Sequence, residues 1–304
     1  SSLSPTIFTP CNKHRFDILK QQISLPLGGL VILFNAVLLL SVLLNKRLRI
    51  REEYRLMVAL SFADFSEGLA SFIGAAYRSP FYMSDDGCYQ FATPLYCMVL
   101  PHNIIWRFAD TATAFMLAAI ALDRYIAISY PFFHSRNSSE TNAVMISTVY
   151  GVSILCMIYS WIMPIQLQVA GKILQKVCST GGLIDPVYTI VVKCASGAGS
   201  ALSAIIHAVV TYKRTKRIRG HCEKTEQLIS RREIKFTITT MIKGASTILF
   251  DSIPRLYGVY DMIQEQLTGE TQQNDDFGSF IVAIVNLNCL LNVFIYAGGQ
   301  PEVR

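Results

Sequence analysis

The sequence predicts an all-α fold, a bundle of seven helices that cross a membrane, and three observations predict it. Apolar residues make up 52% of the 304-residue chain and charged residues only 16%, where soluble domains carry about 25% charged. The mean hydropathy is +0.38, and the apolar residues are gathered into long blocks. The charged residues, 27 Lys and Arg against 21 Asp and Glu for a net charge of +6, fall mostly between those blocks. Their placement sets aside the nucleic-acid partner that a basic excess alone would suggest. So little charge could not cover a water-facing surface.

A helix crossing the roughly 30 Å hydrocarbon layer needs about 20 mostly apolar residues. Seven stretches qualify, at Ile23–Leu44, Tyr54–Tyr77, Leu95–Ile128, Asn142–Leu167, Pro186–Tyr212, Phe236–Tyr260 and Phe277–Ala297. The third exceeds a span, so it tilts or projects into water. The sixth is the least apolar, with Lys243, Asp251, Pro254 and Arg255 inside or at its edge. Dense apolar runs, without ten-residue alternating segments, argue against a β-barrel. The chain has no two matching halves, which counts against common transporter folds.

Orientation follows from the basic residues of the short loops. Lys46, Arg47, Arg49, Arg51 and Arg55 lie between the first two spans, and a second basic group runs from Lys213 to Lys235 between the fifth and sixth. Arg124 and Arg136 fall on the same side. The basic side faces the cytoplasm, which puts the amino terminus outside and the carboxyl terminus inside. The expected organisation is an extracellular amino-terminal segment over residues 1–22 and a membrane domain over 23–299. Residues 300–304 begin a truncated cytoplasmic tail. No cleavable leader is visible, and the chain reads as trimmed at both ends. Cys11, Cys88, Cys97 and Cys178 fall outside, where disulfides persist, and four cysteines allow three pairings. Cys156, Cys194 and Cys289 lie within spans. The Asn137-Ser138-Ser139 triplet falls in a cytoplasmic loop, where it would not be glycosylated.

Ionisable residues within a bilayer are costly and mark pathways, pockets or switches. Asp123-Arg124-Tyr125 stands at the end of the third span, followed by Tyr130-Pro131, which fits a helix end and a loop turn. In an arbitrary membrane helix this would be a snorkelling arginine with a local partner. Other motifs fall in order around it: Asn35 in the first span, Leu60-Ser61-Phe62-Ala63-Asp64 in the second, Pro254 in the sixth, and Asn292-Val293-Phe294-Ile295-Tyr296 in the seventh. With this ordered set, nearly the whole chain resembles the rhodopsin-like (class A) G-protein-coupled receptors. The departures resemble a divergent branch such as the nematode-type chemosensory serpentine receptors. Ser252 replaces the tryptophan two residues before the span-six proline, Val293 replaces a proline, and Trp161 sits too late in span four.

The resemblance implies a plasma-membrane receptor that binds an extracellular small molecule or peptide, of chemosensory or neuropeptide-like kind. It would activate a heterotrimeric G protein by a conformational shift, and membrane lipids are its other partner. Asp123, Arg124, Tyr125, Asn292 and Tyr296 would form the coupling switch, with Arg124 released from Asp123 to meet the G protein. The outer half of span three, with Trp106, Arg107 and Asp110, would build the ligand pocket with Asp251 and Arg255. Glu67 and Lys193 could also face it. The alternative for Asp110 is internal pairing with Arg107 or Lys193. Trp106 stands where amine receptors place a carboxylate, which argues against a standard monoamine pocket. A Cys97–Cys178 bridge is implied, although Val99 holds the usual cysteine spacing.

Asp64, Thr113, Asn288 and Asn292 offer the oxygens of an allosteric sodium site. The alternative there is a hydrogen-bonded polar cluster joining helices. At about 100° per residue, Trp106, Thr113 and Arg124 share one stripe, and Asn288 and Asn292 share one face. Sodium aside, no cofactor is implied. The seventh span has no lysine for a retinal Schiff base, which argues against light sensing. No His-Glu-x-x-His, Cys-x-x-Cys, phosphate loop or nucleophile elbow supports an enzyme. Two other classes stay open: a transporter or channel, and a receptor-fold protein that no longer signals.

Overall fold

Four of the helices open on a proline, and those prolines set the boundaries that the hydropathy pattern alone does not. The computed structural model describes residues 15–46, 48, 53–83, 90–178, 183–219, 239, 241–268 and 276–299. In chain order the elements are α1 (Arg15–Leu44), α2 (Glu53–Met83), β1 (Phe91–Ala92), α3 (Pro94–Val99), α4 (Pro101–Ser129), α5 (Pro131–Tyr159), α6 (Ile162–Val169), β2 (Leu174–Gln175) and α7 (Pro186–Arg219). Residues 241–247 are helical and run through a π turn, Ile248–Ser252, into α8 (Ile253–Thr268); α9 is Asp276–Gly299. Proline suits the first helical position because its missing N–H is unpaired there in any case. Thr93 caps α3 by accepting the Tyr96 amide at 3.2 Å, and Asp185 caps α7 by accepting the Tyr188 amide at 2.9 Å.

This proline rule corrects several expectations. The third span is not one helix from Leu95, because Pro101 forces Leu100 to an extended ψ of 129° and divides α3 from α4. The cytoplasmic loop expected after it is absent: Pro131 restarts a helix directly after Tyr130, so Asn137-Ser138-Ser139 is helical and Ser138 is buried. The fourth span then breaks at Ser160–Trp161 between α5 and α6. Helix α1 is described over Arg15–Leu44. Cys11, Cys88, Cys222 and the 300–304 tail lie outside the described residues.

The helices form a seven-helix bundle. Among the described residues, five helical stretches are long and apolar enough to cross a membrane: Ile18–Leu44, Tyr54–Met83, Pro101–Ser129, Pro131–Val169 and Pro186–Lys213. The sixth, with its charges, and the shorter apolar stretch Phe280–Ile295 of α9 complete the set. The second and third spans bury 61% and 56% of their apolar windows against 28% for the first and 17% for the fourth, which puts α2 and α4 at the centre. Leu33, Val37 and Leu40 of α1, Val144, Leu155 and Ile158 of α5, and Val191 and Ile205 of α7 are exposed. Apolar bands of that extent belong against lipid.

Between the helices, Leu56, Leu60, Met116, Leu117, Ile120 and Val149 join α2, α4 and α5. Leu38, Val42, Tyr54, Met57 and Val293 join α1, α2 and α9. Val293 keeps the N–H that a proline would lack, and α9 runs through it as helix. Helices α1 and α2 touch through glycine. A Cβ at Gly28 would lie 2.9 Å from the Phe72 backbone nitrogen, and one at Gly68 would lie 2.7 Å from a Val31 methyl carbon. Small residues of this kind let membrane helices approach closely.

One end of the bundle is closed by a small sheet. Strands β1 and β2 pair antiparallel, Phe91 with Gln175 and Ala92 with Leu174, and Cys97 is bonded to Cys178. Tyr77 donates to the Lys176 carbonyl at 2.8 Å, and Arg78 donates to the carbonyls of Val177 and Cys178. This is the disulfide end; α4 carries Arg124 to the opposite end.

Candidate functional site

The polar residues of the bundle gather into three centres along α4. At one end Asp123, almost fully buried, lies 3.7 Å from Arg124, whose side chain is 20% exposed. Its other oxygen lies 2.9 Å from His134 Nε2. Pro131 makes that contact by starting α5 directly after Tyr130, which brings His134 one turn in beside the end of α4. Tyr125 faces away from this pair. Lys213 of α7 donates to Tyr125 and to Ser129, at 3.4 and 2.9 Å, and its ammonium lies over the Tyr125 ring. Tyr125, Ser129, Tyr130, Lys213 and Lys216 line an open cleft of about 380 Å³. The lining is basic and aromatic, suited to a partner that brings carbonyls or carboxylates.

The second centre is mid-bundle. Asp110 of α4 pairs with Arg255 Nη1, and Arg255 Nε donates to Asp251 at 3.0 Å. Ser200 of α7 donates to the other Asp251 oxygen. The π turn assembles this group. Pro254 cannot donate an N–H, and its ring crowds the preceding turn. The ladder widens so that the Ile253 amide reaches the Ile248 carbonyl, with Asp251 inside the widened turn. Asp251 and Arg255 are both buried. Internal pairing of Asp110 is therefore realised, but with Arg255 rather than with Arg107 or Lys193. Those two cations act on Asp110 electrostatically, and the Lys193 ammonium sits beside Gly258. Trp106 stands apart from the group. It lines a small recess of about 30 Å³ at the disulfide end with Lys20, Ser24, Arg78 and His102.

The third centre joins Asp64 of α2, Asn292 of α9 and Lys243 of the sixth span. Asn35, Asp64, Thr113, Asn288 and Asn292 are all buried. Asn292 donates its amide to Asp64 Oδ2 at 2.7 Å and accepts at its carbonyl oxygen from the Lys243 ammonium. Asp64 Oδ1, Thr113 Oγ1 and Asn288 Oδ1 have no hydrogen-bond partner. Those oxygens have the chemistry of a hard-cation site, but Asn292, one of the four expected ligands, is engaged by a lysine. The set as it stands does not fit a metal ion.

Sequence reasoning missed Lys243, Ser200 and His134 as members of these centres. Lys243 registered only as an interruption of an apolar block. His134 lay in a stretch read as loop, and Ser200 was an ordinary small residue of α7. The signal for Lys243 was a charge inside an otherwise apolar block, seven residues in from the expected start of the span at Phe236. The backbone of Tyr296 continues α9, and its side chain lies outside the described residues.

Comparison with known proteins agrees with this architecture. The family model for the 7 transmembrane receptor (rhodopsin family) matches residues 34–296. Among curated proteins, the chain is 34% identical over 137 residues to the 5-hydroxytryptamine receptor 2C of Canis lupus familiaris, covering 43% of this chain and 26% of that protein. It is 33% identical over 125 residues to the receptors of the same name from Homo sapiens and Mus musculus, covering 40% of this chain and 25% of each. The chain thus matches about a quarter of the length of these relatives.

Proposed function

For a chain that belongs to the rhodopsin family of seven-transmembrane receptors, a family of signalling receptors rather than enzymes, we propose a plasma-membrane receptor that activates a heterotrimeric G protein. The disulfide end faces outward and the Arg124 end inward. A ligand entering among the outer halves of α2, α4, α7 and α8 favours one of two bundle conformations. In that conformation Arg124 leaves Asp123 and meets the G-protein α subunit, with Tyr296 supporting the rearrangement. The basic cleft beside Lys213 and Lys216 receives the same partner or anionic lipid headgroups.

The observation that carries this reading is that one buried helix, α4, links two charge centres. Asp110 and Asp123 are separated by roughly 20 Å of helix at 1.5 Å per residue. A ligand-driven displacement of the outer half of α4 reaches the cleft through the continuous helix, while the Asp110–Arg255 pair keeps the neighbouring helices in register. Serotonin, named in the relatives, is an amine. Here the mid-bundle carboxylates are already paired to Arg255, with Arg107 and Lys193 nearby, so the pocket favours a small polar or peptide ligand of another charge type.

The test is nucleotide exchange by purified G proteins of each α class, with the protein in lipid nanodiscs. We expect exchange faster than with empty discs, raised by Asp123→Asn and lost in Arg124→Ala. Acceleration with no α class, together with solute flux into vesicles holding only this protein, would favour a transporter. Neither activity would favour a receptor fold that has ceased to signal, which the Ser252 and Val293 departures motivate.

A further inference from the structure

Lysine within a bilayer normally snorkels to the interface. Lys243 does not: it is 3% exposed, and its ammonium donates to the side-chain carbonyl oxygen of Asn292. Asn292 in turn donates its amide to Asp64, whose carboxylate is fully buried. The three side chains form a relay from a cation on the sixth span, through a neutral amide on α9, to an anion on α2. The Lys243 charge also acts on both Asp64 and Asp251. A buried carboxylate without a counter-charge is strongly unfavourable, and Lys243 supplies one.

We propose that Lys243 is a built-in cation that neutralises Asp64 through Asn292 and takes the place of a diffusible metal ion, leaving the bundle indifferent to sodium. An ion that binds only the folded state stabilises it in proportion to the logarithm of its concentration. A tethered ammonium is present at every salt composition and confers no such dependence. Removing it frees the Asn292 oxygen beside Asp64, whose second oxygen already lacks a partner, as do Thr113 Oγ1 and Asn288 Oδ1. Asp64 and the freed Asn292 oxygen carry one negative charge between them, the chemistry that holds a small hard cation. Loss of Lys243 should therefore create sodium sensitivity.

The experiment is thermal unfolding of the purified protein in nanodiscs, exchanging sodium chloride for choline chloride at a constant ionic strength of about 150 mM. This readout needs no ligand or G protein, so its outcome is separate from that of the signalling reading. The wild type should unfold at the same temperature in both salts. Lys243→Met, which keeps the length of the stem, should fall by several degrees in choline and regain most of that loss in sodium. Adding Asp64→Asn to Lys243→Met should abolish the recovery, and Lys243→Arg should stay indifferent to sodium. A wild type stabilised by sodium over choline would overturn the proposal, even if Lys243→Met does not fold. A folded Lys243→Met that ignores sodium would overturn it equally.

Discussion

The two ion-paired centres on α4 are built in opposite ways. At the Arg124 end, Asp123 takes its partners from chain neighbours, Arg124 beside it and His134 from the start of α5, and both of these side chains remain partly exposed. Mid-bundle, Asp110 takes Arg255 from a helix 145 residues away and Asp251 takes Ser200 from 51 residues away, while Arg255 also reaches four residues back to Asp251, and Arg255 and Asp251 are shut away from solvent. Partly exposed pairs exchange partners at little cost. Deeply buried ones lose heavily when either member is removed, because the other is left charged and unpaired. The first centre is suited to switching and the second to holding helices in register.

The largest effect should come from breaking the buried centre. Asp251→Asn leaves Arg255 short of a carboxylate and should cost about 3–5 kcal/mol, read by unfolding in detergent. Next is Gly28→Ala, far from both centres, where the added methyl meets the Phe72 backbone and the Gly68 carbonyl. It should cost about 1–3 kcal/mol by overpacking and leave basal nucleotide exchange at the wild-type rate. If it raised exchange as Asp123→Asn should, sensitivity to perturbation would be general, and the contrast between the centres would fail. The smallest effect belongs to Tyr150→Phe. Its hydroxyl donates to the Ala59 carbonyl at 2.6 Å, and the loss should be near 0.6 kcal/mol, the average for such bonds between membrane helices.

The same contrast explains how much was legible in the sequence. Seven apolar blocks gave the bundle, and Asp123-Arg124-Tyr125 could be read directly because its members are adjacent. Asp64 and Asn292 were legible by their order along the chain, and their hydrogen bond is present. Arg255 as the partner of Asp110 was not legible. Helical periodicity says which face a residue occupies but not which helix lies opposite, and a π turn before Pro254 re-aims Asp251 in a way a regular 3.6-residue repeat cannot anticipate. His134 was hidden by reading Tyr130-Pro131 as the entrance to a loop, although proline is equally a helix-starting residue. The same oversight missed the break between α3 and α4. Lys243 was overlooked because a lysine in an apolar block looks like a weakness in the span until its partner on α9 is known.

The division of labour between the two centres is tested most directly by measuring unfolding temperature and basal nucleotide exchange on the same preparations of Asp123→Asn and Asp251→Asn. Asp123→Asn should keep an unfolding temperature close to the wild type, a loss under about 1 kcal/mol, while raising exchange several-fold. Asp251→Asn should unfold at a markedly lower temperature and gain no exchange. If Asp251→Asn raises exchange at unchanged stability while Asp123→Asn is destabilised and silent, the roles assigned to the two centres are reversed and the account is wrong.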